Sequence, residues 1–396
     1  MNDNRNLLVL FFCQALYWGA VIIGITLSAL VGASLAPQPL LATLPAALLT
    51  VGAILVTAPV SLLMQRYGRM VGFRLGTLCG VAGGAFCAYA IVEQSFALFC
   101  LGNFALGVYQ ACANYYRLAA TDTAPPEGRG RAIAWVMAGG VLAALISPTL
   151  SVWSKGLFAD SLYAGSYVVV VALGLMATVL LGLLKTPPPT SKDEPGAVTP
   201  MAAPRTLGEI VSQPVFIAAV ANAGVSHGTM ILVMTTTPLA MVGHAHLMED
   251  AATVIQWHVL GMFLPAFFSG RLVDKFGAAA VSIAGACVFA VSIALAASGT
   301  VFANFLLSSL LLGVGWNLMY VAGTTLIARS HTVEERGRVQ GLAELGIATI
   351  AAVSAFSSGG LLTFFGWTAV NLGAIPLLLC AASITFWFVR RERVSA

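Results

Sequence analysis

The chain has 396 residues, of which 59% are hydrophobic and 9% charged, with 19 Lys and Arg against 15 Asp and Glu for a net charge of +4. A soluble domain carries about 25% charged residues because its surface faces water, and the mean hydropathy here is +0.92. A cytosolic enzyme, a DNA-binding protein and a secreted disulfide scaffold are poor fits, and the composition is that of an integral membrane protein.

A hydrocarbon core about 30 Å thick takes roughly 20 apolar residues in helical form. That ruler gives twelve segments, at 6–33, 40–64, 71–92, 96–119, 131–152, 163–185, 214–240, 251–271, 278–298, 301–328, 338–362 and 367–389. Helices are expected because lipid offers open strands no hydrogen bonds. The segments are also too long and too uniformly apolar for an outer-membrane barrel. The fold class expected is all-α and integral to the membrane, with twelve transmembrane helices in two pseudo-symmetric six-helix bundles.

Of the 19 Lys and Arg, only Lys155 falls at an odd-to-even connection. Positive residues stay cytoplasmic, so both termini are expected inside a multi-pass protein of the cytoplasmic (inner) membrane. The first apolar run exceeds the core of a signal peptide and is expected to be retained.

In chain order, the first segment offers Gln14, Tyr17 and Trp18. In the third, Gly72, Gly76, Gly80 and Gly84 repeat every four residues, a spacing that lets helices approach closely, inside one bundle or between two copies. In the fourth, Asn103, Gly107, Gln110, Asn114 and Arg117 share one helical face. Such a stripe lines a water-filled cavity or bonds neighbouring helices together, and the spacing leaves both readings open. Residues 186–212 are rich in proline and charge and read as a cytoplasmic linker between halves 1–185 and 213–396.

The seventh segment carries Asn222, Ser226, Thr229 and Thr236, and the tenth carries Trp316, Asn317, Tyr320 and Thr324. Aromatic walls and amides together suit a planar, partly apolar, hydrogen-bonding solute. His227 and His258 each lie thirteen residues from the cytoplasmic end of their segment, about 20 Å at 1.5 Å per residue, and so are expected at equal depth. Each can take a proton near neutral pH or stay neutral and bond a neighbouring helix. Glu344 lies about 9 Å into the eleventh segment and is the third proton-coupling candidate, with pairing to a loop arginine as the alternative.

The seven cysteines fall inside apolar runs without the close pairing of a zinc or redox motif. No metal or other cofactor is expected. Neither a nucleophile with its base nor a phosphate-binding glycine loop is evident, so an enzyme and an ATP-driven pump are disfavoured. His244 and His246 are two potential metal ligands without a third.

The halves repeat. Ser61, Gln65, Arg66 and Gly68 align with Gly270, Asp274, Lys275 and Gly277 at an offset of 209, and Glu127, Arg129 and Arg131 with Glu334, Arg336 and Arg338 at 207. With twelve segments and a central linker, the chain resembles the major facilitator superfamily of secondary transporters over nearly its whole length. The family's signature in the second-to-third loop is present as Gly270, Asp274, Lys275 and Gly277. The first half departs from it at Ser61 and Gln65 but keeps Arg66, Gly68 and Arg69. Asn103 stands where drug-proton antiporters of the superfamily often place an arginine, and their fifth-helix signature is reduced to Ser147 and Pro148.

The resemblance implies alternating access by two rocking bundles, with a cavity lined by the first and fourth helices of each half. That assigns substrate binding to Gln14, Tyr17, Trp18, Asn103, Gln110, Asn114, Asn222, Ser226, Trp316, Asn317 and Tyr320. It assigns gating to Arg66, Arg69, Arg117, Arg131, Asp274 and Arg338, with Asp274 latching onto Arg131 or the amides that begin the fifth helix. The expected protein is a monomeric secondary transporter of a small organic solute, working in the lipid bilayer with H+ as a partner and no nucleic acid. A uniporter and a non-transporting sensor of the same fold are the alternatives.

Overall fold

The computed structural model describes residues 2–122, 132, 135–184, 205–332 and 335–395. Ten helices among them are long and apolar enough to cross a bilayer, and the bent pair Met248–Phe263 and Ala266–Phe276 makes an eleventh. One of the ten, Val339–Glu392, runs 54 residues, more than twice what a bilayer needs. It breaks at Gly366, whose φ of 79° and ψ of −177° suit glycine alone. Beyond the break the chain turns back: Trp367 packs on Phe305 near the start of one neighbouring helix, at 5.0 Å between rings, and Glu392 bonds Arg329 at that helix's other end, at 2.8 Å. The stretch is therefore two spans, giving twelve in all.

In order, spans 1 to 6 are Asn2–Leu35, Leu44–Tyr67, Arg69–Val92, Phe96–Ala113 continued by Tyr116–Asp122, Gly139–Ser154 and Ala164–Leu181. Spans 7 to 10 are Pro214–Gly243, the pair Met248–Phe263 and Ala266–Phe276, Ala278–Ala297 and Phe302–Arg329. Span 11 begins at Arg336 and ends at Gly366, and span 12 runs from there through Ile375–Ser395. Span 8 bends by 41° at Leu264 and Pro265, because proline has no N–H to continue the ladder and its ring crowds the preceding turn. With an even number of spans both termini lie on one face, and the opposite one is the far face.

The repeat seen in the sequence is a repeat in geometry. Gly68 joins spans 2 and 3 with φ 88° and ψ 158°, and Gly277 joins spans 8 and 9 with φ 84° and ψ 151°. Spans 2 and 4 cross where Gly52 lies against the Phe104 carbonyl and Gly107 against the Leu49 carbonyl. Spans 8 and 10 cross where Gly261 lies against Leu310 and Gly313 against His258. A Cβ at any of these four glycines would overlap a backbone carbonyl. The offsets are 209 for one helix of the crossing and 206 for the other. Close backbone approach of this kind holds helices together where lipid supplies no hydrophobic drive. The face of Gly72, Gly76, Gly80 and Gly84 meets Met64, Cys112, Tyr109, Val170 and Val171 of the same half.

The halves meet through span 5 on span 8, span 2 on span 11 and span 1 on span 7. One buried cluster crosses the seam, joining Ile22, Ala143 and Ala144 to Met230, Leu260 and Phe263. Toward the far face, Lys155 bonds Glu249 at 2.6 Å, Gln256 donates to the Leu145 carbonyl at 3.1 Å, and Gly359 lies against Thr43. These contacts join the two halves on that side.

Candidate solute site in the seam between the halves

The seam's aromatic centre comes from spans 7 and 10. One helical turn separates Trp316 from Tyr320, and their rings stack at 4.8 Å with planes 13° apart. The Trp316 indole Nε1 donates to His227 Nδ1 at 3.2 Å, which pins the outer ring of the stack to span 7. The His227 ring is 6.1 Å from that of Tyr320. All three side chains are only partly buried, so they form a wall rather than a core.

The first half answers with a cation and amides, and span 11 of the second half adds a carboxylate. Arg117 of span 4 interacts with the Tyr320 hydroxyl across the seam, and Glu344 of span 11 acts on the same hydroxyl. Asn114 and Glu344 are exposed, and Gln110 and Arg117 are half-buried. Trp18 meets Phe263 of the other half edge-on at 4.9 Å. Among the described residues, Gln14 Oε1, Gln110 Oε1 and Trp18 Nε1 are buried without a hydrogen-bond partner. A buried polar atom left unpaired costs about 1–3 kcal/mol, so a ligand that pairs it gains that much. Gln14 reaches only the Met137 sulfur, at 3.8 Å, and Tyr17 is buried against Tyr109 at 5.5 Å between rings.

The fourth-span stripe divides along its length. Asn103 accepts from Ser28 at 2.8 Å and donates to the Phe99 carbonyl at 3.0 Å, which commits it to packing within its half. Gln110, Asn114 and Arg117 lie beyond that packed stretch, where the helix breaks at 114–115. Asn103 thus bonds neighbouring groups within its half, whereas Gln110 and Arg117 are half-buried and Asn114 is exposed.

Three further residues expected to bind solute are turned inward. Asn222 donates to the Ala218 carbonyl and to Thr385, each at 2.8 Å, and accepts from Ser282. Ser226 is buried and bonds Ala223, and Asn317 donates to the Met262 carbonyl at 2.8 Å. These side chains join spans 7, 8, 9, 10 and 12, and Asn317 keeps its Oδ1 buried without a hydrogen-bond partner among the described residues.

The two histidines differ in depth and in chemistry. His258 Nδ1 bonds the Ser309 carbonyl at 2.8 Å, seven residues before Trp316 on span 10, or about 10 Å nearer the far face. The equal-depth expectation fails because span 8 continues to Phe276, five residues past its expected end. His258 is 2% exposed and lies inside the second half, away from the wall that His227 helps to form.

Of the gating candidates, Arg66 and Asp274 are exposed at the ends of spans 2 and 8, and Arg69 begins span 3. Arg131 lies outside the described residues, as does the side chain of Arg338, so the Asp274 latch falls outside them too. Sequence reasoning missed three ion pairs among the described residues, Arg329 with Glu392 and the two that follow. Lys155 with Glu249 was signalled by the one basic residue on its side of the chain. Arg205 with Glu335 carried no local signal, since 130 residues separate the partners. Arg205 grips the Glu335 carboxylate from Nε at 2.8 Å and from a terminal nitrogen at 2.5 Å, and that grip holds the carboxyl down to about 2.

Two six-span halves around a seam lined with aromatic and polar side chains define a multi-pass membrane transporter for small solutes. The Major Facilitator Superfamily model matches residues 7–256 and 244–396, and the chain belongs to that family. It is 38% identical over 374 residues to a protein named riboflavin transporter RfnT of Brucella anthropi, covering 94% of this chain and 93% of the relative. An uncharacterized MFS-type transporter of Bacillus subtilis, YddS, is 28% identical over 99% of this chain and 92% of its own length. Among solved structures, a bacterial homolog of the human lysosomal transporter Spinster, inward-facing and unoccupied, has the same fold with a TM-score of 0.74 and 14% identity. The likeness covers 98% of this chain and 97% of that one.

Proposed function

We propose that the protein carries riboflavin, or a closely related flavin, across the cytoplasmic membrane by alternating access, with both termini in the cytoplasm. The observation that carries this reading is the Trp316–Tyr320 stack, a flat aromatic wall with hydrogen-bonding groups at its edge. A flavin has a planar tricyclic ring with two carbonyls and an N–H on one edge and a hydroxylated chain on the other side. The ring suits the stack, and the edge suits a mixed set of donors and acceptors such as Trp18 Nε1, Gln14 Oε1 and Gln110 Oε1. The relative named for riboflavin supports the same substrate over nearly the whole chain. Placing the termini inside rests on the single basic residue, Lys155, on the other side.

On this reading substrate contacts come from Gln14, Trp18, Gln110, Asn114, Trp316 and Tyr320, with Arg117 bridging the halves and the protein working as a monomer. The test is counterflow: proteoliposomes loaded with unlabelled riboflavin take up labelled riboflavin transiently, and excess unlabelled riboflavin outside suppresses the signal. Uptake no faster than in protein-free liposomes rejects the substrate assignment.

A further inference from the structure

The geometry points to His227 as the residue that couples proton binding to solute binding, with Trp316 making each event depend on the other. This deepens the reading above and rests on its placement of the solute against the Trp316–Tyr320 stack.

An indole N–H donates and never accepts. With Trp316 Nε1 at 3.2 Å from His227 Nδ1, that imidazole nitrogen carries the lone pair, and the ring is neutral with its proton on Nε2. Adding a proton at Nδ1 places two N–H groups face to face, so the empty site resists protonation while the stack stands. A solute carbonyl oxygen has two lone pairs and accepts from both donors at once. The solute therefore removes the obstacle to the proton, and by linkage the proton strengthens the grip on the solute by the same factor. The two travel together.

The surroundings leave this role to His227. Tyr320 of span 10 is the titratable ring beside it. Arg117 of span 4 and Glu344 of span 11 act on the Tyr320 hydroxyl, and span 1 presents the buried Tyr17. Spans 8 and 12 carry their charged residues at the helix ends, and the imidazole on span 8, His258, bonds a backbone carbonyl about 10 Å nearer the far face. His258 Nδ1 faces an acceptor, which leaves its lone pair on Nε2, a buried atom with no hydrogen-bond partner among the described residues and so with no opposing donor for a solute to relieve. His227 Nδ1 faces a donor.

The test uses proteoliposomes with riboflavin as solute and a trapped pH dye. In the wild type, riboflavin entry carries protons, and an inward gradient of one pH unit drives up to about tenfold accumulation for one proton per solute. His227→Gln keeps an acceptor for Trp316 but does not titrate. It is expected to exchange riboflavin weakly in counterflow and to lose both the dye signal and the accumulation. A His227→Gln protein that still concentrates riboflavin overturns the proposal. If the wild type does not exchange riboflavin, the substrate reading fails, and the coupling is read without solute from tryptophan emission against pH. The wild type should show an acid transition that both His227→Gln and Trp316→Phe lack, and identical titrations in all three overturn it.

Discussion

At the scale of single residues, the seam and the packed interior of each half make opposite demands on similar side chains. Trp316 is half-buried and stacked on Tyr320; on the proposed reading the solute stacks there too, and stacking of a heterocyclic base on an aromatic side chain is worth about 1–3 kcal/mol. Trp316→Ala should therefore raise the riboflavin KM about 5- to 150-fold, read from initial rates of counterflow, and an unchanged KM removes the stack from the site. His258 sits in the interior, and its bond to Ser309 is an extra one to a carbonyl already in the helix ladder, so its loss costs about 0.5–1.5 kcal/mol. His258→Ala should lower the unfolding midpoint while accumulation driven by a pH gradient survives. Loss of coupling at unchanged stability would reverse the roles of the two histidines. Spacing revealed which residues share a helix face but not which of them find partners elsewhere. Asn103 is satisfied by Ser28, 75 residues away, and Asn222 by Thr385, 163 residues away.

At the scale of elements, the glycine crossings carry the packing of both halves. Gly107→Ala and Gly313→Ala each force a methyl group onto a backbone carbonyl, and overpacking typically costs about 1–3 kcal/mol. Both variants should unfold at lower temperature, by similar amounts because the two crossings are related by the repeat, and wild-type midpoints for both would contradict the crossing. The short helix Leu207–Val211 adds a pH dependence through the clamp beside it. With its folded value held at about 2 against an ordinary 4.5, Glu335 stabilises the fold above the ordinary value and loses that contribution as pH falls toward 2. The gap in unfolding midpoint between wild type and Glu335→Gln should be full at neutral pH and close below about 4.5. A gap that stays constant to pH 3 excludes the clamp. Hydropathy made the spans legible, since lipid demands long apolar helices, and the paired basic loops at offsets of 209 and 207 made the repeat legible. The reach of span 8 to Phe276 was hidden because its last turns carry Arg271, Asp274 and Lys275, which read as loop.

At the scale of the whole molecule, the two halves touch toward the far face and offer polar side chains to the space between them. Lys155 with Glu249 is a partly exposed pair, of a kind worth about 0–1 kcal/mol. Its loss should leave the unfolding midpoint nearly unchanged yet shift the balance of conformations up to about fivefold toward opening of the far face. Lys155→Glu should show that shift as faster labelling of a far-face cysteine, and adding Glu249→Lys should reverse it. A double variant that labels as fast as the single one rules the pair out as a closure. The central claim is that the scarce polar groups border an aqueous seam that admits the solute. Asn114→Cys, in a protein whose native cysteines are replaced, tests it most directly. A membrane-impermeant thiol reagent applied from the termini side should modify that cysteine readily, and riboflavin should slow the reaction several-fold. Modification by lipid-soluble reagents alone, at a rate riboflavin does not change, would place the stripe against lipid and contradict the account.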